Sequence, residues 1–129
     1  MPTVGDLMAS ELVRVAVDQT IEDAAELMSG RRVGSALVFD GERLVGILTE
    51  RDVLRVVGAR RLAGATVGEW MTRDPETVGA EESVEHAGVL MLHGGFRHLP
   101  VVDGTDVVGI VSIRDLVHDA LDDRAPRGA

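Results

Sequence analysis

The chain has 129 residues, of which 45% are hydrophobic and 27% charged, a composition typical of one globular domain rather than of a disordered chain. Its net charge of −9 and scattered arginines disfavour a nucleic-acid-binding surface, and the absence of cysteine excludes disulfides and thiolate chemistry. Because its apolar runs are too short to span a membrane and no signal peptide is recognisable, we expect a cytoplasmic protein.

An internal repeat organises the chain. Val4–Leu54 aligns with Val67–Val117 without a gap, and nearly a third of the aligned residues are identical. Each copy is too small to bury its apolar face alone, so we expect the two copies to pack about a pseudo-two-fold axis. The predicted boundaries are 1–57 for the first copy, 58–66 for a linker, 67–121 for the second copy and 122–129 for a flexible tail.

Each copy is predicted to begin with a helical turn and an extended segment. These are Val4–Met8 and Val13–Val15 in the first copy, and Val67–Met71 and Glu76–Val78 in the second. A helix follows, capped by Thr20 or Ser83, with an apolar stripe that includes Ala24, Ala25, Leu27 and Met28 in the first copy. Glycine predicts its end, at Gly30 in the first copy and near Gly94–Gly95 in the second.

Two strands then flank an Asp-Gly turn in each copy, which is a strong hairpin signal. They are predicted at Ala36–Phe39 and Leu44–Leu48, then at Leu99–Val102 and Val107–Val111. A second helix is expected at Glu50–Val57 and again at Arg114–Leu121. The order β-α-β-β-α, twice, predicts a mixed α/β (α+β) fold.

The helices carry more apolar positions than one small core hides, which predicts a homodimer. These positions are Ala25, Met28, Val53, Val56, Val57, Leu116 and Val117.

The sequence Gly46–Asp52 (GILTERD) recurs as Gly109–Asp115 (GIVSIRD), after a strand that contains Arg97–Asp103 (RHLPVVD). Over residues 4–121 this pattern resembles the CBS motif family. The resemblance implies a CBS pair, or Bateman module, that senses adenosine-type ligands in two clefts and assembles as a homodimer. Candidate ligands are AMP, ADP, ATP, S-adenosylmethionine and dinucleotides. It implies an adenine nucleotide as regulatory ligand, no required cofactor and an unidentified regulated protein as partner.

Thr49 and Ser112 stand at the start of the second helix of each copy, where free N–H groups favour an anion. Their hydroxyls can donate to a phosphate oxygen. Asp52 and Asp115 follow three residues later, and an ionised carboxylate there can accept both ribose hydroxyls. Alternatively, each hydroxyl only caps its helix.

By the same resemblance the two clefts are unequal. The main cleft takes Ser112, Asp115, Arg97 and His98 from the second copy, with Ala24, Val33 and Gly34 of the first copy around the adenine. The second cleft takes Thr49, Asp52, Ala87 and Phe96. Arg97 and His98 should face the phosphates, and their counterparts Gly34 and Ser35 carry no charge.

No pattern in the chain indicates catalysis. The sequence contains no Gly-x-Ser-x-Gly elbow, P-loop or dinucleotide fingerprint, and its four histidines show no metal-ligand spacing. We therefore expect neither an enzyme nor a metal site. The competing hypothesis is a homodimeric protein-interaction module that binds no nucleotide.

Overall fold

The structure, a computed structural model, describes residues 2–124. The chain divides into two compact units. The central unit is Leu12–Pro75, and the terminal unit combines the segment that ends at Glu11 with the chain from Glu76 onward. The units therefore differ from the repeats, because the opening helical turn of each repeat belongs to the unit that holds the rest of the other repeat.

Six helices and seven strands are present in the described residues. In chain order they are α1 Val4–Leu7, β1 Arg14–Ala16, α2 Ile21–Arg31, β2 Ser35–Asp40, β3 Arg43–Thr49, α3 Glu50–Gly58, α4 Val67–Trp70, β4 Thr72–Arg73, β5 Val78–Gly79, α5 Val84–Gly94, β6 His98–Asp103, β7 Asp106–Ser112 and α6 Ile113–Arg124. The predicted mixed α/β fold is confirmed.

Each unit contains one sheet. The central sheet has the order β1-β2-β3-β4, and the terminal sheet has the order β5-β6-β7. The first pair of each sheet is parallel and the remaining pairs are antiparallel. The short strand β4 was not predicted; its counterpart in the terminal unit is a single bridge between Ala9 and Ile110.

Both predicted hairpins form. Gly41 and Gly104 take positive φ angles of 63° at their tips, which explains why glycine occupies both turns. The register pairs Ser35 with Thr49 in the central unit and His98 with Ser112 in the terminal unit. The last residue of each hairpin is thus the residue before the next helix.

Helix α2 begins where its cap predicts, because Thr20 Oγ1 accepts a hydrogen bond of 3.1 Å from the Asp23 N–H. Its buried positions are Ile21, Ala24 and Met28. The buried stripe is narrower than predicted, since Leu27 is 41% exposed. Ser83 caps α5 in the same way, accepting from the His86 N–H at 3.1 Å.

The predicted end of α2 at Gly30 is wrong. The helix continues to Arg31, and Arg32 takes the left-handed conformation with φ 55°. Its counterpart after α5 is Gly95, with φ 73°. An arginine therefore occupies the position that favours glycine.

Arg32→Gly is expected to raise the free energy of unfolding by about 0.5–1 kcal/mol. The substitution removes left-handed strain of roughly 1–2 kcal/mol from the folded state. This gain exceeds the loss of stability that comes from the greater conformational entropy of glycine in the unfolded chain. Urea unfolding measures the change, and Gly95→Ala serves as the opposite substitution, which should destabilise. A destabilised Arg32→Gly protein would show that the arginine side chain stabilises this turn.

Each unit has its own apolar core. The central core comprises Val15, Ile21, Ala24, Met28, Ala36, Val38, Leu48, Val56, Ala65 and Val67. The terminal core comprises Val4, Val78, Ala87, Met91, Leu99, Val101 and Val111. The exchanged turns supply Val67 to the first core and Val4 to the second, so each exchanged segment contributes to the packing of its unit.

Part of the surface predicted for dimer contacts is instead core. Met28 is 4% exposed and Val56 is 0% exposed. The large apolar residues that are exposed are Leu27, Val33, Leu54, Val57, Val89, Leu92, Phe96, Val117 and Leu121. Dimer formation remains a prediction that rests on these residues.

At the C-terminal end, α6 continues to Arg124, three residues beyond the predicted end at Leu121. Of the tail predicted at 122–129, residues 122–124 belong to this helix, and residues 125–129 lie outside the described residues. None of the helices in the described part of the chain is long and apolar enough to cross a membrane.

Candidate functional site

The terminal unit brings together the four residues predicted to bind ribose and phosphate. His98 is the register partner of Ser112 across β6 and β7. The Ile113 N–H donates to the carbonyl oxygen of Arg97 at 2.8 Å. Arg97 and His98 therefore lie beside the first turn of α6, where Asp115 also lies. Arg97 is exposed, and His98, Ser112 and Asp115 are half-buried.

Ser112 and Asp115 form a reciprocal cap at the start of α6. The backbone N–H of Ser112 and its hydroxyl both donate to Asp115 Oδ2, at 2.8 and 3.0 Å, while the Asp115 N–H donates to Ser112 Oγ at 3.2 Å. The capping role left open by the sequence is thus present. Among the described residues Asp115 Oδ1 makes no further hydrogen bond or ion pair, so one carboxylate oxygen remains an available acceptor.

The central unit repeats this geometry at the start of α3. The backbone N–H and the hydroxyl of Thr49 donate to Asp52 Oδ2 at 2.9 and 3.1 Å, and the Asp52 N–H donates to Thr49 Oγ1 at 3.3 Å. The Glu50 N–H donates to the Gly34 carbonyl oxygen at 2.9 Å, as Ile113 does to Arg97. Here the adjoining strand offers Gly34 and Ser35 in place of a basic pair.

A second difference between the units was not predicted. Arg55 Nη1 donates to Asp52 Oδ1 at 3.2 Å, so both oxygens of that carboxylate have partners. The Asp52 side chain is 5% exposed, and the Arg55 guanidinium also lies 5.7 Å from the centroid of the Trp70 ring. In the repeat, the position of Arg55 is held by His118. The aligned sequences show this substitution, but not the contact.

The residues predicted to surround the adenine differ in how exposed they are. Ala24 and Ala87 are fully buried in the central and terminal cores, respectively. Val33 is 38% exposed and Gly34 is half-buried. Phe96 is 36% exposed, and its ring lies so close to Gly94 that a β-carbon there would collide with it. Their contacts with a ligand stay predictions.

Two open depressions in the central unit contain none of the predicted site residues. One, of about 520 Å³, lies along α2, and the other, of about 500 Å³, is lined by Arg60, Arg61 and Trp70 among others. The second depression also contains the carboxylate of Glu69, and hydrogen bonds from Thr66 lower the pKa of that group. A negative charge therefore stands beside its two arginines. Among the side chains of residues 2–122, no group of histidines and carboxylates is arranged to hold a metal ion.

Comparison with known proteins identifies one protein family. A family model described as CBS domain matches residues 4–59 and 67–122. The chain is 37% identical over 117 residues to the CBS domain-containing protein YhcV of Bacillus subtilis, covering 90% of this chain and 84% of that protein.

Two solved structures that resemble this one contain adenosine compounds. CBSX2 from Arabidopsis thaliana, in complex with AMP, is 31% identical with a TM-score of 0.81, and the match covers 97% of this chain and 100% of that one. The CBS domain pair of protein MJ0100, in complex with 5′-methylthioadenosine and S-adenosyl-L-methionine, is 25% identical with a TM-score of 0.87. That match covers 97% of this chain and 99% of that one.

Proposed function

We propose that this chain, which belongs to the CBS domain family and contains two copies of that domain, is a regulatory module that binds an adenosine-type ligand. The observation that carries the proposal is the site in the terminal unit. There a half-buried carboxylate keeps one free acceptor oxygen beside an exposed arginine and a histidine. The adenosine compounds bound by CBSX2 and by the MJ0100 domain pair support the same ligand class.

In this proposal Asp115 accepts hydrogen bonds from the ribose hydroxyls through Oδ1. The Ser112 hydroxyl donates to Asp115, so it exchanges that partner for a phosphate oxygen when a nucleotide binds. Arg97 and His98 donate hydrogen bonds to the phosphates, and those from the charged guanidinium are the stronger, because charge-assisted hydrogen bonds are roughly twice as strong as neutral ones. The bound adenine nucleotide is a regulatory signal rather than a cofactor, and the chain has no catalytic role. Its proposed location is the cytoplasm.

The remaining predicted site residues are carried over from the family resemblance. We propose Ala24, Val33 and Gly34 of the central unit as the surroundings of the adenine in the main site. A weaker second site uses Thr49, Asp52, Ala87 and Phe96. It is weaker because Gly34 and Ser35 supply no positive charge where the main site has Arg97 and His98.

A thermal-shift screen tests this function. AMP, ADP, ATP, NAD, S-adenosylmethionine and 5′-methylthioadenosine are added separately to the purified chain. A ligand that binds the folded state at 100 times its Kd adds about 2.7 kcal/mol to the free energy of unfolding, which raises the melting temperature measurably. Guanosine and cytidine monophosphates are the controls. A screen in which every compound leaves the melting temperature unchanged contradicts the proposal.

Arg97→Ala is expected to flatten the preference of the chain among adenosine, AMP, ADP and ATP. Wild type should bind the phosphorylated ligands more tightly than adenosine, and added salt should reduce that advantage since Arg97 is exposed. Titration calorimetry at low and high salt measures both effects. Arg114→Ala, on the first turn of α6, is a matched control that also removes an exposed arginine. An unchanged preference in Arg97→Ala would remove this residue from the phosphate site.

A second function is favoured by a different observation. Leu54 is 71% exposed and Leu92 is 80% exposed, and exposed apolar side chains that gather into one patch mark binding surfaces. We therefore retain a homodimeric interaction module as the alternative. Light scattering that gives twice the chain mass of 13.8 kDa, together with a negative ligand screen, would favour it. A monomer at tens of micromolar would count against it.

A further inference from the structure

We propose that Arg55 is a specificity-determining residue that closes the second nucleotide site by occupying the ribose acceptor Asp52. This inference rests on the proposed function, because it concerns the second of the two proposed sites. The weaker binding expected at the second site then has two causes. One is this contact within the central unit, and the other is the basic pair that only the main site has.

Both oxygens of the Asp52 carboxylate already accept hydrogen bonds. Oδ2 accepts from the backbone and the hydroxyl of Thr49, and Oδ1 accepts from Arg55 Nη1 at 3.2 Å. The Asp52 side chain is 5% exposed and that of Arg55 is 60% exposed, so the guanidinium lies on the solvent side of a nearly buried carboxylate. A ligand at this site must displace the guanidinium first.

A second contact holds Arg55 in this position. Its guanidinium lies 5.7 Å from the centroid of the Trp70 ring, within the range of a cation–π interaction. Trp70 is half-buried and packs against the central core, which supports the ring beneath the guanidinium. The arginine thus joins the carboxylate and the ring.

The terminal unit lacks both parts of this arrangement. His118 replaces Arg55, and Leu7 replaces Trp70. His118 is exposed and makes no hydrogen bond or ion pair with Asp115 among the described side chains. Among the described residues, the same capping pair therefore leaves one carboxylate oxygen without a partner in the terminal unit, whereas both oxygens have partners in the central unit.

The test isolates each site before exchanging the two residues. AMP binding is measured by titration calorimetry in an Asp115→Ala background, which leaves the Asp52 site, and in an Asp52→Ala background, which leaves the Asp115 site. Arg55→His is added to the first and His118→Arg to the second. Arg51→Ala, added to the first, removes an equal charge from the same helix without touching Asp52. Arg55→Ala shows whether the new histidine itself contributes.

Arg55→His and Arg55→Ala are each expected to tighten AMP binding at the Asp52 site about three- to tenfold. This lies between the strength of an exposed ion pair and that of a buried hydrogen bond to a charge. His118→Arg should weaken the Asp115 site by a similar factor, and Arg51→Ala should change nothing. Melting temperatures confirm that each variant is folded.

Trp70 provides a local readout, because it is the only tryptophan in the chain. When AMP displaces Arg55 in the Asp115→Ala protein, the tryptophan emission should change. The change should be much smaller once Arg55 is histidine. A role of Arg55 in fold stability alone would not produce this ligand-dependent signal.

The outcomes separate this inference from the proposed function. If wild type binds AMP but the Arg55 variants bind it no more tightly, or more weakly, Arg55 does not close the site and the proposed function stands. If neither wild type nor any variant binds an adenosine-type ligand, the proposed function fails and this inference fails with it.

Discussion

Asp115→Ala is expected to weaken binding of the adenosine-type ligand by roughly 10- to 150-fold. The substitution removes the carboxylate that would accept the ribose hydroxyls, and hydrogen bonds to a charged group contribute about 1.5–3 kcal/mol. Asp52→Ala should have a smaller effect, since Asp52 is already engaged by Arg55. Titration calorimetry on both variants compares the losses.

The control for this prediction concerns stability. Asp115 also caps α6 through Ser112, so Asp115→Ala should lower the melting temperature as well. Asp115→Asn keeps an oxygen acceptor for the Ser112 N–H but removes the charge, and it should lose an intermediate part of the affinity. Equal losses in Asp115→Ala and Asp52→Ala would refute the ranking of the two sites.

Gly109→Ala is expected to reduce the free energy of unfolding by about 1–3 kcal/mol, the usual cost of overpacking. Gly109 is buried in β7, and a β-carbon there would stand 2.9 Å from the Ala9 carbonyl oxygen and collide with Met8 Sδ. The methionine can move, but the backbone of Ala9 is held by two hydrogen bonds with Ile110. The substitution therefore forces the N-terminal segment away from the terminal sheet.

The equivalent glycine of the central unit provides a second instance. A β-carbon on Gly46 would lie 2.9 Å from the Thr72 carbonyl oxygen and 2.5 Å from Met71 Sδ, so Gly46→Ala should destabilise to a similar degree. Gly30→Ala is the control, because no atom lies within 4 Å of the added carbon and alanine favours a helix. Urea unfolding of all three tests the packing. An unchanged Gly109→Ala protein would mean that the exchanged segment is not tightly docked.

Local signals explain how much of the fold was predictable. The Asp-Gly turns, the caps at Thr20 and Ser83 and the repeat itself specify elements through residues close together in the chain. The exchange of α1 and α4 between the repeats was not predictable in this way, because nothing in Val4 or Val67 indicates which core receives it. The extension of α2 beyond Gly30 was missed for a related reason, since Arg32 takes a conformation that sequence rules assign to glycine.

In the candidate site, too, contacts between residues close in sequence were predictable, and a contact between distant residues was not. The pairing of Ser112 with Asp115 follows from three-residue spacing on a helix, and the hairpin register places His98 opposite Ser112. The contact of Arg55 with Trp70 was missed, because it joins residues far apart in sequence and unlike their counterparts in the repeat. Comparing the copies reveals the substitution to His118, but only the folded geometry shows that Arg55 reaches Asp52.

The most direct test of the account is a crystal structure of the chain grown with saturating AMP. We predict that the ribose hydroxyls lie within about 2.6–3.2 Å of the Asp115 carboxylate, with the phosphate beside Arg97. Density for AMP away from Asp115, or no bound nucleotide at saturation, would contradict the central claim.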